Sequence, residues 1–167
     1  MKNIIVMLVL SVFSTNIVFS DDHILKSVTD SSTFDLNESR GKYIALHFLL
    51  KTECPICMKH THDYFTKSHS MPNVIQVFLK PDTEKEIQVW AKNLKKNYPI
   101  YRDPNAQLAK RLKIPHGYKF HGQVVHYPAT VLIDPKGNEV YRYIGKNNRD
   151  RLSFESLKKK VSELVEK

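Results

Sequence analysis

The chain has 167 residues, 41% of them hydrophobic and 26% charged, the composition of one ordinary globular domain. Its formal net charge is +9 at pH 7, but the lysines are scattered among acids and no RNA- or DNA-binding motif accompanies them. Nucleic acid is therefore not an expected partner, and the charge implies only a weak attraction to acidic partners or surfaces.

The first twenty residues stand apart from the domain. Lys2 supplies a short positive region, IIVMLVLSVF an apolar one, and Val18 and Ser20 put small residues just before Asp21. This is the pattern of a secretory signal peptide at 1–20, cleaved after Ser20, which leaves residues 21–167 as a single domain. The expected location is outside the cytoplasm, periplasmic or secreted, with no membrane span left after cleavage. The alternative is an uncleaved anchor. Ser14, Thr15 and Asn16 interrupt the run, whereas a spanning helix needs about 20 mostly apolar residues.

Residues 43–50, YIALHFLL, are a nearly unbroken apolar run that suits a strand buried on both faces of a sheet. CPICMKHTHDYFTKSH follows, with Pro55 placed to open a helix in its first turn. NVIQVFL, 73–79, predicts a second strand. In DTEKEIQVWAKNL, 82–94, Thr83 and Glu86 form a capping box ahead of the stripe Ile87, Trp90 and Leu94, which predicts a helix. DPNAQLAKRL predicts a short helix opening at Asp103 or Asn105. ATVLID, 129–134, and EVYRYIG, 139–145, flank PKGN and predict a β-hairpin with Gly137 in its turn. An amphipathic helix from about Ser153, marked by Phe154, Leu157, Val161 and Leu164, closes the chain. Together these elements predict an α+β or α/β domain with strands of mixed direction.

The two cysteines, Cys54 and Cys57, sit at the strand-to-helix junction. A pair this close cannot clamp distant loops, and a domain of this size needs no staple, so its value is chemical. The first sulfur faces unpaired N–H groups at the helix N-terminus, where the dipole stabilises a thiolate and lowers its pKa from about 8.5 toward about 3.5 to 7.5. The second, one turn on, is placed to resolve a mixed disulfide by attacking the first. Cys54 is therefore the expected nucleophile and Cys57 the resolving thiol. The Glu53 carboxylate opposes thiolate formation, and Lys51 offsets it.

These motifs resemble the thioredoxin-like superfamily, in its exported TlpA-like and redoxin (AhpC/TSA-related) branch. YIALHFLL followed by CPIC matches that family's strand and active-site motif, and YPATVLIDPKGNEVYRYIG its later hairpin; the likeness covers roughly 30–166. The resemblance implies a thioredoxin-like three-layer α/β fold, a central mixed sheet with helices on both faces. It implies thiol–disulfide exchange with protein thiols or disulfides and with a redox partner protein, by a monomer that needs no cofactor beyond a Cys54–Cys57 disulfide. It also makes Pro128 a cis-proline facing the dithiol, with Tyr127, Ala129 and His126 as groove candidates. Departures accompany it. Glu53 stands where the family carries an aromatic residue, and His47 falls where a buried acid or amide relays a proton only if one residue is inserted. His47 is thus either a proton relay or a core histidine. The segment 114–128 is a longer loop than in relatives and carries His116, His121 and His126 beside the expected cis-proline.

Three other readings compete. In peroxiredoxins of this superfamily a threonine stands three residues before the peroxidatic cysteine and an arginine six before the Ile-Asp aspartate. Lys51 and Pro128 occupy those places here, which favours dithiol exchange over peroxide reduction. A copper site, as in some exported copper chaperones of the superfamily, would draw on Cys54, Cys57, His60 and His121. A copper or zinc site of Cys54, Cys57, His60 and His62 would need the helix to break, since His62 points away from His60 on a continuous helix, and the plainer reading makes both histidines solvent-facing polar residues. The last reading is a non-enzymatic binding domain, against which both cysteines argue. Pro-Ile between the cysteines matches neither the thioredoxin nor the DsbA dipeptide, and potentials across such motifs span about −270 to −120 mV, so the direction of electron flow stays open.

Overall fold

The computed structural model describes residues 24–37, 41–51, 54–94 and 96–166, so the signal segment, Thr52 and Glu53 lie outside it. Five strands form the central sheet in the order β5 (Ile100–Arg102), β4 (Val74–Lys80), β3 (Tyr43–Phe48), β8 (Ala129–Ile133) and β9 (Glu139–Ile144). β3, β4 and β5 run parallel, whereas β8 is antiparallel to both β3 and β9. Such a mixed sheet follows from the chain order. Helical crossovers join the parallel strands, and a tight turn with Gly137 at φ 87° joins the last two.

Alternation along the strands divides the core in two. Ile44, Leu46, Phe48, Val131 and Ile133 face one cluster, with Leu108 and Ala109 of α3 (Gln107–Arg111) and Leu25 of β1 (Ile24–Lys26). β1 pairs with β2 (Thr33–Asp35). Ala45, Phe78 and Leu132 face the other cluster, with Tyr64 of α1 (Pro55–Lys67), Trp90 of α2 (Glu84–Ala91) and Leu157 of α4 (Phe154–Val165). Helices thus cover both faces, as the thioredoxin-like reading requires. No helix among the described residues is long and apolar enough to cross a membrane.

Two local expectations are corrected. The short helix starts at Gln107, because Asn105 and Ala106 take positive φ, 54° each, and the Asp103 carboxylate instead accepts the N–H groups of Leu108 and Ala109 at 2.8 and 3.1 Å. The segment expected as a long loop holds a separate hairpin, β6 (His116–Phe120) and β7 (Gln123–His126), turning through His121 and Gly122 at φ 47° and 72°. Two positive φ values in a two-residue loop match the right-handed twist of the strands. Phe120 and Val125 of this hairpin are buried in the cluster that holds both cysteines.

Candidate active site

β3 delivers the chain to the site. After Phe48 its main chain stays tied to β4, with the Leu49 N–H donating to the Leu79 carbonyl at 2.9 Å. The Lys80 ammonium donates to the Leu50 carbonyl at 2.8 Å, pairs with Asp82 at 3.1 Å and lies 4.8 Å from the centre of the Trp90 ring. α1 then opens with Pro55 in its first turn and Cys54 as its cap, whose sulfur accepts the Cys57 N–H at 3.1 Å. Cys54 and Cys57 are joined in a disulfide with Cα atoms 5.1 Å apart, and neither has exposed surface. The helix N-terminus thus faces the first sulfur, as the motif predicts.

Arg151, in the β9–α4 connection, was not identified from the sequence. Its Nη2 lies 3.2 Å from Cys57 Sγ and 3.7 Å from Cys54 Sγ, and its Nε donates to the Asn148 carbonyl at 3.1 Å. The connection is itself held. The Asn148 N–H donates to the Tyr118 hydroxyl at 3.0 Å, and the Asp150 carboxylate takes the Tyr143 hydroxyl and the Lys146 N–H. Burial lowers the Arg151 guanidinium to about 10, still charged at neutral pH. Gly145 anchors the base of this loop. A Cβ there would stand 1.9 Å from the Asp150 carbonyl oxygen and 3.0 Å from Pro128 Cγ. Gly145→Ala is expected to shift the loop and cost about 1–3 kcal/mol, measurable by urea unfolding.

A polar stripe crosses the sheet behind the cysteines. His47, on β3, has no exposed surface; its Nε2 meets Gln76 Oε1 at 2.8 Å and its ring stacks on Phe78. With Nε2 donating to Gln76, Nδ1 is left to accept, and His60 Nε2 and Thr130 Oγ1 approach it at 3.2 and 3.3 Å. His47 is thus buried with side-chain partners, and it reaches the cysteine helix through His60. His60 lies one turn after Cys57 and faces inward, not solvent, while His62 turns away to the Tyr98 hydroxyl at 3.0 Å. Burial pulls His47 down to about 4 and His60 well below its usual value.

The Tyr127–Pro128 peptide is trans, a correction to the cis-proline that the resemblance implies; the described residues contain no cis peptide. Trans is the lower-energy form, and two main-chain hydrogen bonds hold the chain here: Tyr127 N–H to the Pro115 carbonyl and Gly145 N–H to the Pro128 carbonyl, both 2.8 Å. Pro128 still borders the site, lining a small recess with His60, Ala129, Thr130 and Arg151. Tyr127 packs on Tyr118, with ring centres 5.3 Å apart. His126 is buried against Phe48 and its Nδ1 donates to the Tyr127 carbonyl at 2.8 Å. His121 lies in the β6–β7 turn, edge-on to Phe120. Among the described residues no three His, Cys, Asp or Glu side chains gather at metal-binding spacing, so the Cys54, Cys57, His60 and His121 set is not assembled in this disulfide form.

Comparison with known proteins places this geometry. Solved structures of similar fold include a cysteine-to-serine mutant of Xylella fastidiosa PrxQ, with TM-score 0.68 at 15% identity over 86% of this chain and 90% of that one. The exposed lipoprotein thioredoxin of Streptococcus pneumoniae gives TM-score 0.66 at 21% identity over 84% and 97%. MTB DsbF, solved in mixed oxidised and reduced forms, gives 0.62 at 22% over 84% and 93%. No curated protein matches the sequence. The AhpC/TSA family matches residues 21–142, which include both cysteines, the His47 stripe and Pro128, and the chain belongs to that family.

Proposed function

We propose that the protein is an exported thiol–disulfide oxidoreductase that acts on protein thiols or disulfides through Cys54 and Cys57. The observation that carries this reading is the disulfide at the start of α1, with Cys54 Sγ already accepting the Cys57 N–H. When the pair is reduced, that N–H and the helix dipole favour the thiolate on Cys54. Cys54 then attacks a substrate disulfide, displacing one substrate thiolate, and Cys57 attacks Cys54 Sγ to release the other. In the opposite direction a substrate thiolate attacks Cys54 Sγ and Cys57 leaves. The cycle needs no cofactor beyond this disulfide. An apolar groove between α1 and α2, lined by Pro55, Met58, Val89 and Trp90, offers a protein substrate a contact surface beside Cys54. Export is supported by the leader pattern, the family match beginning at residue 21, and a structural neighbour described as an exposed lipoprotein.

The test is a redox titration of the protein as recovered from cells, with thiols counted by mass after alkylation. One reversible two-electron transition is expected, and a mass for a chain starting at Asp21 would support export. Cys57→Ser should accumulate mixed disulfides with cellular proteins and Cys54→Ser should not. If two thiols are not lost reversibly, the reading fails.

A second reading, thiol peroxidase, is favoured by one observation: Arg151 places a cation 3.7 Å from Cys54 Sγ. In that chemistry the thiolate takes one peroxide oxygen as sulfenate, releasing an alcohol or water, and Cys57 condenses with it to form the disulfide and water. Peroxide consumption by the reduced protein decides between them. Turnover faster than exchange with protein disulfides would select the peroxidase.

A further inference from the structure

We propose that Arg151 is the resident counter-ion of the Cys54 thiolate and that its partly buried charge biases the pair toward the reduced form, making the protein an oxidant of protein dithiols. This rests on the proposed cycling of Cys54 and Cys57 and assigns it a direction.

In the disulfide form the cation faces neutral sulfur. Its Nη2 lies 3.2 and 3.7 Å from the two sulfurs and its Nε is taken by the Asn148 carbonyl. Asp150, the adjacent residue, does not serve it, since that carboxylate is occupied by Tyr143 and Lys146. Among the described residues no carboxylate forms an ion pair with Arg151. The other ionisable groups within its field are His47, His60, His126 and Lys80, bases whose protonation its charge disfavours, and Tyr118, whose phenol favours the Arg151 charge. A partly desolvated cation with no carboxylate paired to it among the described residues is costly to hold. Reduction supplies the anion.

Two substrate thiols lose two electrons and two protons and form a disulfide. The Cys54–Cys57 bond breaks, Cys57 takes one proton as a thiol, Cys54 remains a thiolate, and the second proton passes to solvent. The new negative charge appears beside a guanidinium already held in place by Asn148, itself tied to Tyr118 of β6. The attraction exists only in the reduced state, so it shifts the equilibrium and is not shared equally by both forms. A stabilised reduced form is what makes a dithiol pair a strong oxidant. Arg151 comes from the connection between β9 and α4, beyond the residues that the family match covers.

The experiment compares the wild-type protein with Arg151→Gln, Arg151→Met and Arg151→Lys in graded glutathione buffers, with the pH profile of Cys54 alkylation measured alongside. Gln and Met are expected to shift the equilibrium at least tenfold toward the disulfide, about 30 mV for two electrons, and to move thiolate titration to higher pH; Lys should retain most of the wild-type behaviour. Oxidised wild-type protein mixed with equimolar reduced thioredoxin should end mostly reduced, a result that requires no variant to fold. A shift below tenfold in folded Gln and Met variants, or thioredoxin that stays mostly reduced, overturns the proposal while the cycling itself stands. Wild-type protein that loses no two thiols reversibly overturns the functional reading and this inference together.

Discussion

Acidification from pH 6.5 toward pH 4 is expected to remove about 3 kcal/mol of folding stability through His47 alone. Burial comes first among the causes; the hydrogen bond to Gln76 opposes it, and the Arg151 charge adds to it. The folded-state pKa, about 4, lies below the unfolded value of 6.5, so the unfolded chain binds more protons throughout the interval. Stability therefore falls with pH from about 6.5 down to about 4, and the full penalty is present below that. His60 adds to the fall, because burial, His47 and Arg151 all disfavour its charge, and His126 acts in the same sense. Surface carboxylates with lowered pKa, such as Asp134 and Asp150, lose their contributions in a more acid range. Urea unfolding at several pH values between 7.5 and 4.5 measures the effect. His47→Leu should start less stable, with Gln76 deprived of its partner, but show a flatter profile. Equal stability of the wild-type protein at both ends of the range would rule out the neutral buried pair.

The site was legible where chemistry follows from local spacing. Cys54, Pro55 and Cys57 lie within one turn, so strand exit, cap and helix start could be read together, and the capping box of Thr83 and Glu86 forms as its spacing requires. The β6–β7 hairpin was not legible because its turn is His121–Gly122, and histidine is a weak signal for a positive φ where asparagine is a strong one. Alternation of Tyr118 and Phe120, with Val125 opposite Tyr118, was the signal available. Arg151 was hidden for another reason. It stands 94 residues from Cys57, and among many basic residues nothing local marks the one that is turned inward. Its position depends on Gly145 and Asp150 folding the connection back toward Pro128, which is a tertiary fact. His60 was hidden likewise: one turn after Cys57 it shares the inner face, but only the presence of His47 on β3 gives that ring a partner.

Lys80→Met is expected to destabilise the protein by about 3–5 kcal/mol, because it leaves the Asp82 carboxylate buried without its cation. Neither side chain has exposed surface, and they meet at 3.1 Å. The lysine ends a central strand whose other residues on that face are apolar or hydrogen-bonded, so it cannot reach water. Burial disfavours its charge and Asp82 favours it. What the ion pair achieves beyond satisfying itself is the hold on the Leu50 carbonyl at 2.8 Å, four residues before Cys54. Stability and site geometry can therefore be separated. Lys80→Met with Asp82→Leu removes both charges and should recover most of the lost stability, since an apolar pair of similar volume replaces a desolvated one. It does not restore the donor to Leu50, so the disulfide of the double variant should be reduced by small thiols faster than that of the wild-type protein. Chemical unfolding and the rate of reduction by dithiothreitol measure the two effects. A double variant as unstable as Lys80→Met would mean that the ion pair, and not its burial cost, holds this part of the sheet together. A double variant with an unchanged reduction rate would mean that the Leu50 carbonyl needs no anchor to keep the disulfide covered.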